Sequence, residues 1–221
     1  MKLSYYPIHN VFDTEIYGVN TIVIENRKLF CDFVHELFFQ AAGLDGQIVV
    51  SKDDKIVTFS KYAEVFSSFI PFQMNEKRFI PKIINEIDKR SAEKSFFEKT
   101  GKILSDLENH LDDLTFDFKC DFNYNSLSFL SLIKAAGISL KNDCDLISEK
   151  FLNFMETVLE FEGEKLFITV NMRSYVEDSE MEAFIKTVTS HRYDLIMLEN
   201  ISYPKLENEI RYTIDSDLCE F

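Results

Sequence analysis

The sequence predicts an α/β protein in which strand-forming regions flank a helical middle. Two observations carry that expectation. In the last third, the apolar runs 165–170 (KLFITV) and 194–198 (DLIML) alternate with a helical pattern over 178–190, and 209–214 reads as a further strand. Short strands alternating with helices form a parallel or mixed sheet covered by helices. Over about 75–114, in contrast, Ile80, Ile83, Ile84 and Ile87, then Phe96, Phe97, Ile103, Leu104, Leu107 and Leu111, keep helical spacing with no strand between them. The expected organisation is an α/β head made of residues 1–70 and 140–221, interrupted by a helical segment, 71–139. The 221 residues fit one domain with a sizeable appendage.

The elements follow in order. Residues 1–70 read as small strands around one helix. Thr21–Ile24 is an apolar strand, and Asn26 is placed to cap a helix from Arg27 to about Gln40. Leu29, Phe30, Phe33, Val34, Leu37 and Phe38 share one face of that helix. Gln47–Val50 and Lys55–Phe59 flank Ser-Lys-Asp-Asp as a β-hairpin. In the helical middle, Pro81 suits a first helical turn and Gly101 marks a kink. A third helix is expected over about Ser126–Ala136, stopped by Gly137. A fourth is expected from about Asp145 to Phe161, capped by Asp143 or Asp145.

Hydrophobic residues make up 46% of the chain, enough for a proper core, and 22 Phe with no Trp make its aromatic packing a matter of phenylalanine. The start, MKLSYYPIHNVFD, lacks the apolar stretch of a secretory signal, and no run is long enough to span a bilayer. The expected location is the cytosol. Cys31, Cys120, Cys144 and Cys219 show no CxxC spacing and no histidine at a zinc-ligand offset, so they read as ordinary reduced thiols.

Catalytic signatures fail one by one. A phosphate loop needs GxxxxGK[ST], because glycine backbone must wrap the phosphates. Gly101-Lys102 is the one Gly-Lys pair, but Phe96 replaces the first glycine and Ile103 the hydroxyl residue. There is no GxGxxG loop and no GxSxG elbow, and His35-Glu36 is not followed by a second histidine at HExxH spacing. His9, His35, His110 and His191 have no local nucleophile and read as surface or capping residues. The expectation is a binding protein rather than an enzyme. A degenerate nucleotide hydrolase and an acidic protein-interaction scaffold are the alternatives.

The net charge of −14 argues by itself against nucleic acid, but its distribution does not. Between Lys77 and Lys102 lie eight basic residues, among them Lys89, Arg90 and Lys94, against four acidic ones, a net of +4 that leaves −18 for the rest. A basic helix on an acidic body is a localised phosphate-binding surface, and the acidic remainder repels wrong docking. The bland reading is a solvated helix with i, i+4 pairs such as Lys94–Glu98. The next stretch inverts the sign: Asp106, Glu108, Asp112, Asp113, Asp117 and Asp121 face only Lys119. Its end, Asp121-Phe-Asn123-Tyr-Asn125, is the opening of a calcium loop, where alternate side chains turn oxygens toward one ion. Ser126 and Leu132 stand where an EF-hand needs Gly and Glu, so an EF-hand is excluded. What remains is a looser oxygen-ligated Ca²⁺ site over Asp117, Asp121, Asn123 and Asn125, or an Asn/Asp turn capping the helix at Ser126.

The order of these segments carries a resemblance. Asp121-Phe-Asn-Tyr-Asn125, Leu130-Ser-Leu-Ile-Lys-Ala-Ala-Gly-Ile138, Ile147-Ser-Glu-Lys150, Lys165-Leu-Phe-Ile-Thr-Val-Asn171 and Leu195-Ile-Met-Leu-Glu199 resemble, in order and spacing, the Csn family, the adaptation protein of type II-A CRISPR systems. The likeness is strongest over about 100–200 and reaches back to 21–40. It implies a P-loop-ATPase-like head that has lost its nucleotide site, with a mixed sheet and a helical leg. It also implies a homotetrameric ring with a lysine-lined hole that threads onto double-stranded DNA ends, with structural calcium. The implied partners are the CRISPR integrase proteins and the effector nuclease, during spacer acquisition. Lys134 matches the lysine of the family's L-I-K segment, and Lys141 lies near a basic position after the glycine, so both join the DNA-binding set. The family's D-x-E-x-D corresponds here to Asp121, Asn123 and Asn125: two carboxylates have become amides, which lowers the charge offered to calcium.

Overall fold

In the computed structural model the described residues are 1–72, 76–120, 122–123, 125–141 and 143–221. They form two compact units, Met1–Gln73 with Asn142–Phe221, and Met74–Lys141.

The first unit is built on two sheets. A five-stranded sheet has the order β6 (Ala63–Phe66), β7 (Leu166–Val170), β8 (Leu195–Glu199), β3 (Val19–Ile24), β9 (Glu209–Ile214), and all its strands are parallel. β3, β7 and β8 are buried along their whole length, which is why their sequences read as continuous apolar runs rather than alternating ones. A separate antiparallel sheet has the order β2 (Val11–Asp13), β1 (Lys2–Tyr5), β4 (Ile48–Lys52), β5 (Lys55–Val57). The mixed sheet expected of the head is found as two sheets: the hairpins β1–β2 and β4–β5 join through the long-range pair β1–β4, and the helical crossovers force parallel pairing in the other.

Helix α1 (Arg27–Ala41) and the antiparallel sheet share one core with the parallel sheet. Phe33 and Leu37 of α1, Leu3, Phe12 and Val50 of the small sheet, and Ile22, Ile168 and Leu198 of the large one meet there. Tyr5 stacks on Phe33 at 4.5 Å between ring centroids. A short helix α2 (Phe59–Tyr62) leads into β6. The other face of the parallel sheet carries α6 (Ile147–Glu162) and α7 (Asp178–His191). Phe151, buried on α6, touches Phe66, Phe69, Phe154, Phe167 and Phe184, a cluster of phenylalanines in the place a tryptophan-containing core would fill with fewer rings. Gly18 precedes β3 at φ +123°, and a Cβ there would lie 2.8 Å from the Asn208 carbonyl, so this close approach of two chain segments requires glycine.

The second unit holds α3 (Glu76–Ser91), α4 (Lys94–Thr115) and α5 (Phe129–Ala135). Phe79 and Ile83 of α3 and Ile133 of α5 are its buried side chains among those described. Several boundaries differ from the sequence reading. Pro81 is the sixth residue of α3, beyond its first turn. The helix continues through Gly101 and the break falls at Ala92-Glu93, where the Ala92 and Glu93 N–H groups reach back to Lys89 and Arg90 carbonyls three residues away and close the helix. α5 begins at Phe129, not Ser126, because Ser128 is the cap: its Oγ accepts the Ser131 N–H at 3.2 Å. Gly137, at φ +65°, follows its end as expected. α6 starts at Ile147 without an aspartate cap, and the Ser148 N–H donates instead to Glu180 Oε1 at 3.0 Å.

Candidate functional site

The basic residues lie on α3 and α4. At 100° per residue, Arg78, Lys82 and Lys89 fall on one stripe of α3, roughly opposite Ile80 and Ile84. On α4, Lys94, Lys99 and Lys102 occupy one side, and Phe96, Phe97, Ile103, Leu104, Leu107, Leu111 and Leu114 the other. Lys89 and Arg90 are in the last turn of α3, where a cation is favoured by the helix dipole, and Lys94 opens α4. All three are exposed. Arg90 Nε lies 3.2 Å from Glu86 Oε1, so part of its charge is already answered locally. Lys134 is exposed in the last turn of α5, and Lys141 is exposed in the irregular stretch after it. The structure therefore groups Lys89, Arg90 and Lys94 at one helix junction and places Lys134 and Lys141 on a different segment.

The apolar side of α4 is unusual. None of its 22 residues is buried, and Phe96 and Phe97 are 51% and 65% exposed. An amphipathic helix gains its stability by covering its apolar stripe.

The acidic-to-amide segment connects α4 to α5. Asp117, Asn123 and Asn125 are exposed there, and Asp121 lies outside the described residues. Glu108 on α4 fixes the end of the segment by accepting the Leu127 N–H at 3.0 Å. Among the described residues no three His, Cys, Asp or Glu side chains gather as a metal cluster. The fit to calcium then rests on the donor chemistry alone: carboxylate and amide oxygens, which are hard ligands suited to that ion.

In an open parallel α/β sheet, ligands sit in the crevice beyond the carboxyl ends of the strands. Here that crevice has a volume of about 730 Å³ and is lined by Ile24, Glu25, Arg27 and Phe30 after β3 and by Asn200, Ile201 and Ser202 after β8. The turn from β3 to α1 is two residues, Glu25 and Asn26. Two donors here are taken: the Glu25 N–H donates to the Ile214 carbonyl at 2.8 Å, and the Leu29 N–H, in the first turn of α1, to Asn26 Oδ1 at 3.0 Å. The Asn26 amide donates to the Ser216 carbonyl at 2.9 Å. A phosphate cradle needs several free backbone N–H groups and tolerates no carboxylate at its centre. The turn contains Glu25 and no glycine, unlike a phosphate loop. The sequence tested Gly101-Lys102 as the phosphate loop, which the fold places in the second unit, within α4.

Of the histidines, His9 pairs with Glu220 at 2.9 Å, His35 stacks on Phe39, and His191 Nδ1 lies 2.9 Å from the Thr187 carbonyl at the end of α7. The sequence reading missed one group of side chains, a buried set around Arg173 and Glu199. Its only trace in the sequence is a carboxylate closing an otherwise apolar strand, LIMLE. No helix among the described residues is long and apolar enough to cross a membrane.

Residues 40–218 match the family model described as CRISPR-associated protein (Cas_Csn2). A relative from Enterococcus faecalis, "CRISPR-associated protein Csn2", is 21% identical over 132 residues, which cover 60% of this chain and 58% of that protein. The aligned part thus spans less than two thirds of the relative's length.

Proposed function

Because the chain belongs to the Cas_Csn2 family of CRISPR-associated proteins, we propose that it is a non-catalytic, ring-forming protein that binds double-stranded DNA ends and threads onto them during spacer acquisition. The observation that carries this reading is the separation of charge: residues 77–102, most of α3 and the first part of α4, have a net charge of +4 on a chain of net −14. Lysine and arginine on a helix surface contact phosphates, release counterions and read no sequence, which is what a protein that slides over arbitrary DNA needs. The exposed Phe96, Phe97, Ile103 and Leu114 of α4 support self-association, since a second copy of the same helix supplies cover that the isolated chain lacks. Four copies in a closed ring multiply a modest basic patch into firm binding. The head is then a P-loop-ATPase-like unit whose phosphate turn has shortened to Glu25-Asn26. Structural calcium, held by Asp117, Asp121, Asn123 and Asn125, braces the α4–α5 connection. CRISPR integrase proteins and the effector nuclease are the partners, and the compartment is the cytoplasm.

The test is a gel shift on one plasmid in two forms, with and without calcium, alongside light scattering. Linear duplex is expected to bind with nanomolar-to-micromolar affinity that weakens steeply with salt, and the closed circle much more weakly. Scattering should report a tetramer. Equal binding to both forms removes threading, and a monomer removes the ring. Phosphate release from ATP with Mg²⁺ would instead support the degenerate hydrolase.

A further inference from the structure

Glu199 is the last residue of β8 and is fully buried (0% exposed). Its surroundings come from four segments. Arg173, with a side chain 1% exposed, rises from the 3-10 turn Met172–Ser174 that follows β7. Asp178 opens α7 and takes the Arg173 Nη2 at 2.7 Å. Glu209 and Arg211 stand on β9, and Tyr203 and Pro204 lie in the loop between β8 and β9. Residues 199, 209 and 211 project from one face of the sheet, as the parallel registers of β3 with β8 and with β9 require.

The hydrogen bonds in this cluster are divided unequally. Arg211 gives both Nε and Nη2 to Glu209, at 2.8 and 2.7 Å to Oε1. Arg211 Nη1 donates to the Tyr203 carbonyl. Arg173 commits Nη2 to Asp178 and to the Pro204 carbonyl at 3.0 Å, stacks its guanidinium 4.8 Å over the Tyr203 ring, and keeps Nη1 3.6 Å from Glu209 Oε2. Glu199 is left with main-chain donors: its Oε1 accepts the Arg173 N–H at 3.1 Å, and its Oε2 has no hydrogen-bond partner among the described residues. Two guanidinium groups thus face three carboxylates, Asp178, Glu199 and Glu209; their hydrogen bonds to carboxylates go to Asp178 and Glu209, while Arg173 Nε and Nη1, also buried, have no hydrogen-bond partner among the described residues. A buried carboxylate oxygen without a donor is far costlier charged than neutral. Of the three, Glu199 is the one with a buried oxygen that no donor reaches among the described residues, so the geometry favours a proton there. Its titration agrees: burial pushes its pKa up to about 7, against the lowering effect of the Arg173 and Met172 N–H groups and the Arg173 charge.

We propose that Glu199 is a proton-operated latch on one wall of the crevice. While its carboxyl is protonated, the end of β8, the 3-10 turn and β9 close on one another without a surplus buried charge. When the proton leaves, the negative charge enters the field of Glu209 with no donor for Oε2, and the strain falls on the 200–208 loop, whose carbonyls hold both arginines. That loop begins with the crevice residues Asn200, Ile201 and Ser202 and is pinned by Tyr203 and Pro204 to the two arginines. Loss of the proton above neutrality therefore loosens the crevice wall. The latch concerns the first unit alone and stands whether or not the second unit binds DNA.

The sign follows from linkage. A carboxyl whose folded pKa is raised binds its proton more tightly in the folded state, so the folded state is favoured at low pH and the advantage is lost as pH rises through the folded value. From pH 5 to 7.5 the folding equilibrium constant of the natural chain should fall roughly fiftyfold relative to that of Glu199→Gln. Hydrogen exchange of the 200–208 amides, corrected for intrinsic rates, should quicken above pH 7 in the natural chain and stay flat in the variant. Parallel pH profiles for the two chains overturn the proton. Exchange in the loop that ignores pH overturns the latch. Should Glu199→Gln not fold, carbon-13 titration of the Glu199 carboxyl in the natural chain decides: a midpoint near pH 7 upholds the proposal, and one in the ordinary carboxylate range ends it.

Discussion

Helices α4 and α6 have the same amphipathic plan and opposite fates. Helix α6 presses Phe151, Phe154, Met155 and Val158 into the parallel sheet and α7. Helix α4 is longer, 22 residues against 16, and buries none of them. Periodicity in sequence announces that a face wants cover and says nothing of whether the same chain provides it. The first unit covers its own faces and is expected to be stable alone. The second leaves part of a face exposed.

The largest expected effect separates these two fates. Phe151→Ala removes a ring that touches five others and should cost about 3–5 kcal/mol of stability in denaturant unfolding. Leu107→Ala on α4, only half-buried, should cost about 1 kcal/mol or less at concentrations where the chain is monomeric. It should nevertheless shift the self-association curve measured by light scattering. Equal losses of stability would mean that α4 is covered within the chain.

The same contrast explains what the sequence made legible. The helix at Arg27, the hairpin around 53–54 and the last-third alternation were readable because each is fixed locally, by a cap, a turn or an apolar period. The segregation of strands into two sheets was not readable: β1 pairs with β4 some 45 positions away, and nothing in KLSY names that partner. Gly101 was misjudged for a physical reason: nothing lies within 4 Å of where its Cβ would be, so the helix runs through it under no steric demand, and the true break is set by the backbone bonds at Ala92 and Glu93. Lys89, Arg90 and Lys94 were legible as a charge run because they are close in sequence. The Arg173–Glu199 set was not, because its members come from segments that only the parallel sheet brings together.

Reversing charge at the helix junction is the next effect in size. Lys89→Glu, Arg90→Glu and Lys94→Glu together should weaken binding to linear duplex by roughly 10- to 100-fold near 0.1 M salt and lower the steepness of the salt dependence by about three counterions. Arg90 alone should matter least of the three, since Glu86 already shares its charge. Lys28→Glu, an exposed reversal on α1 in the first unit, is the control and should leave binding nearly unchanged. A triple variant that binds like the natural chain would reduce the basic segment to a solvated face.

The smallest expected effects are the most discriminating about the two units, because the same chemistry caps a helix in each. Asn26 Oδ1 accepts the Leu29 N–H at 3.0 Å at the start of α1, and Ser128 Oγ accepts the Ser131 N–H at 3.2 Å at the start of α5. Replacing either by alanine leaves a helix N–H without its acceptor and should cost about 1 kcal/mol. Asn26→Ala should cost somewhat more, because its amide also donates to Ser216 and ties the C-terminal segment to the turn. If the units unfold as one, both variants lower the same transition by nearly equal steps. If each unfolds by itself, Asn26→Ala shifts only the transition that carries the sheet signal, and Ser128→Ala shifts only a helical one. Segment-resolved hydrogen exchange reads this directly: α5 amides should respond to Ser128→Ala and not to Asn26→Ala, since α5 packs on α3 within its own unit.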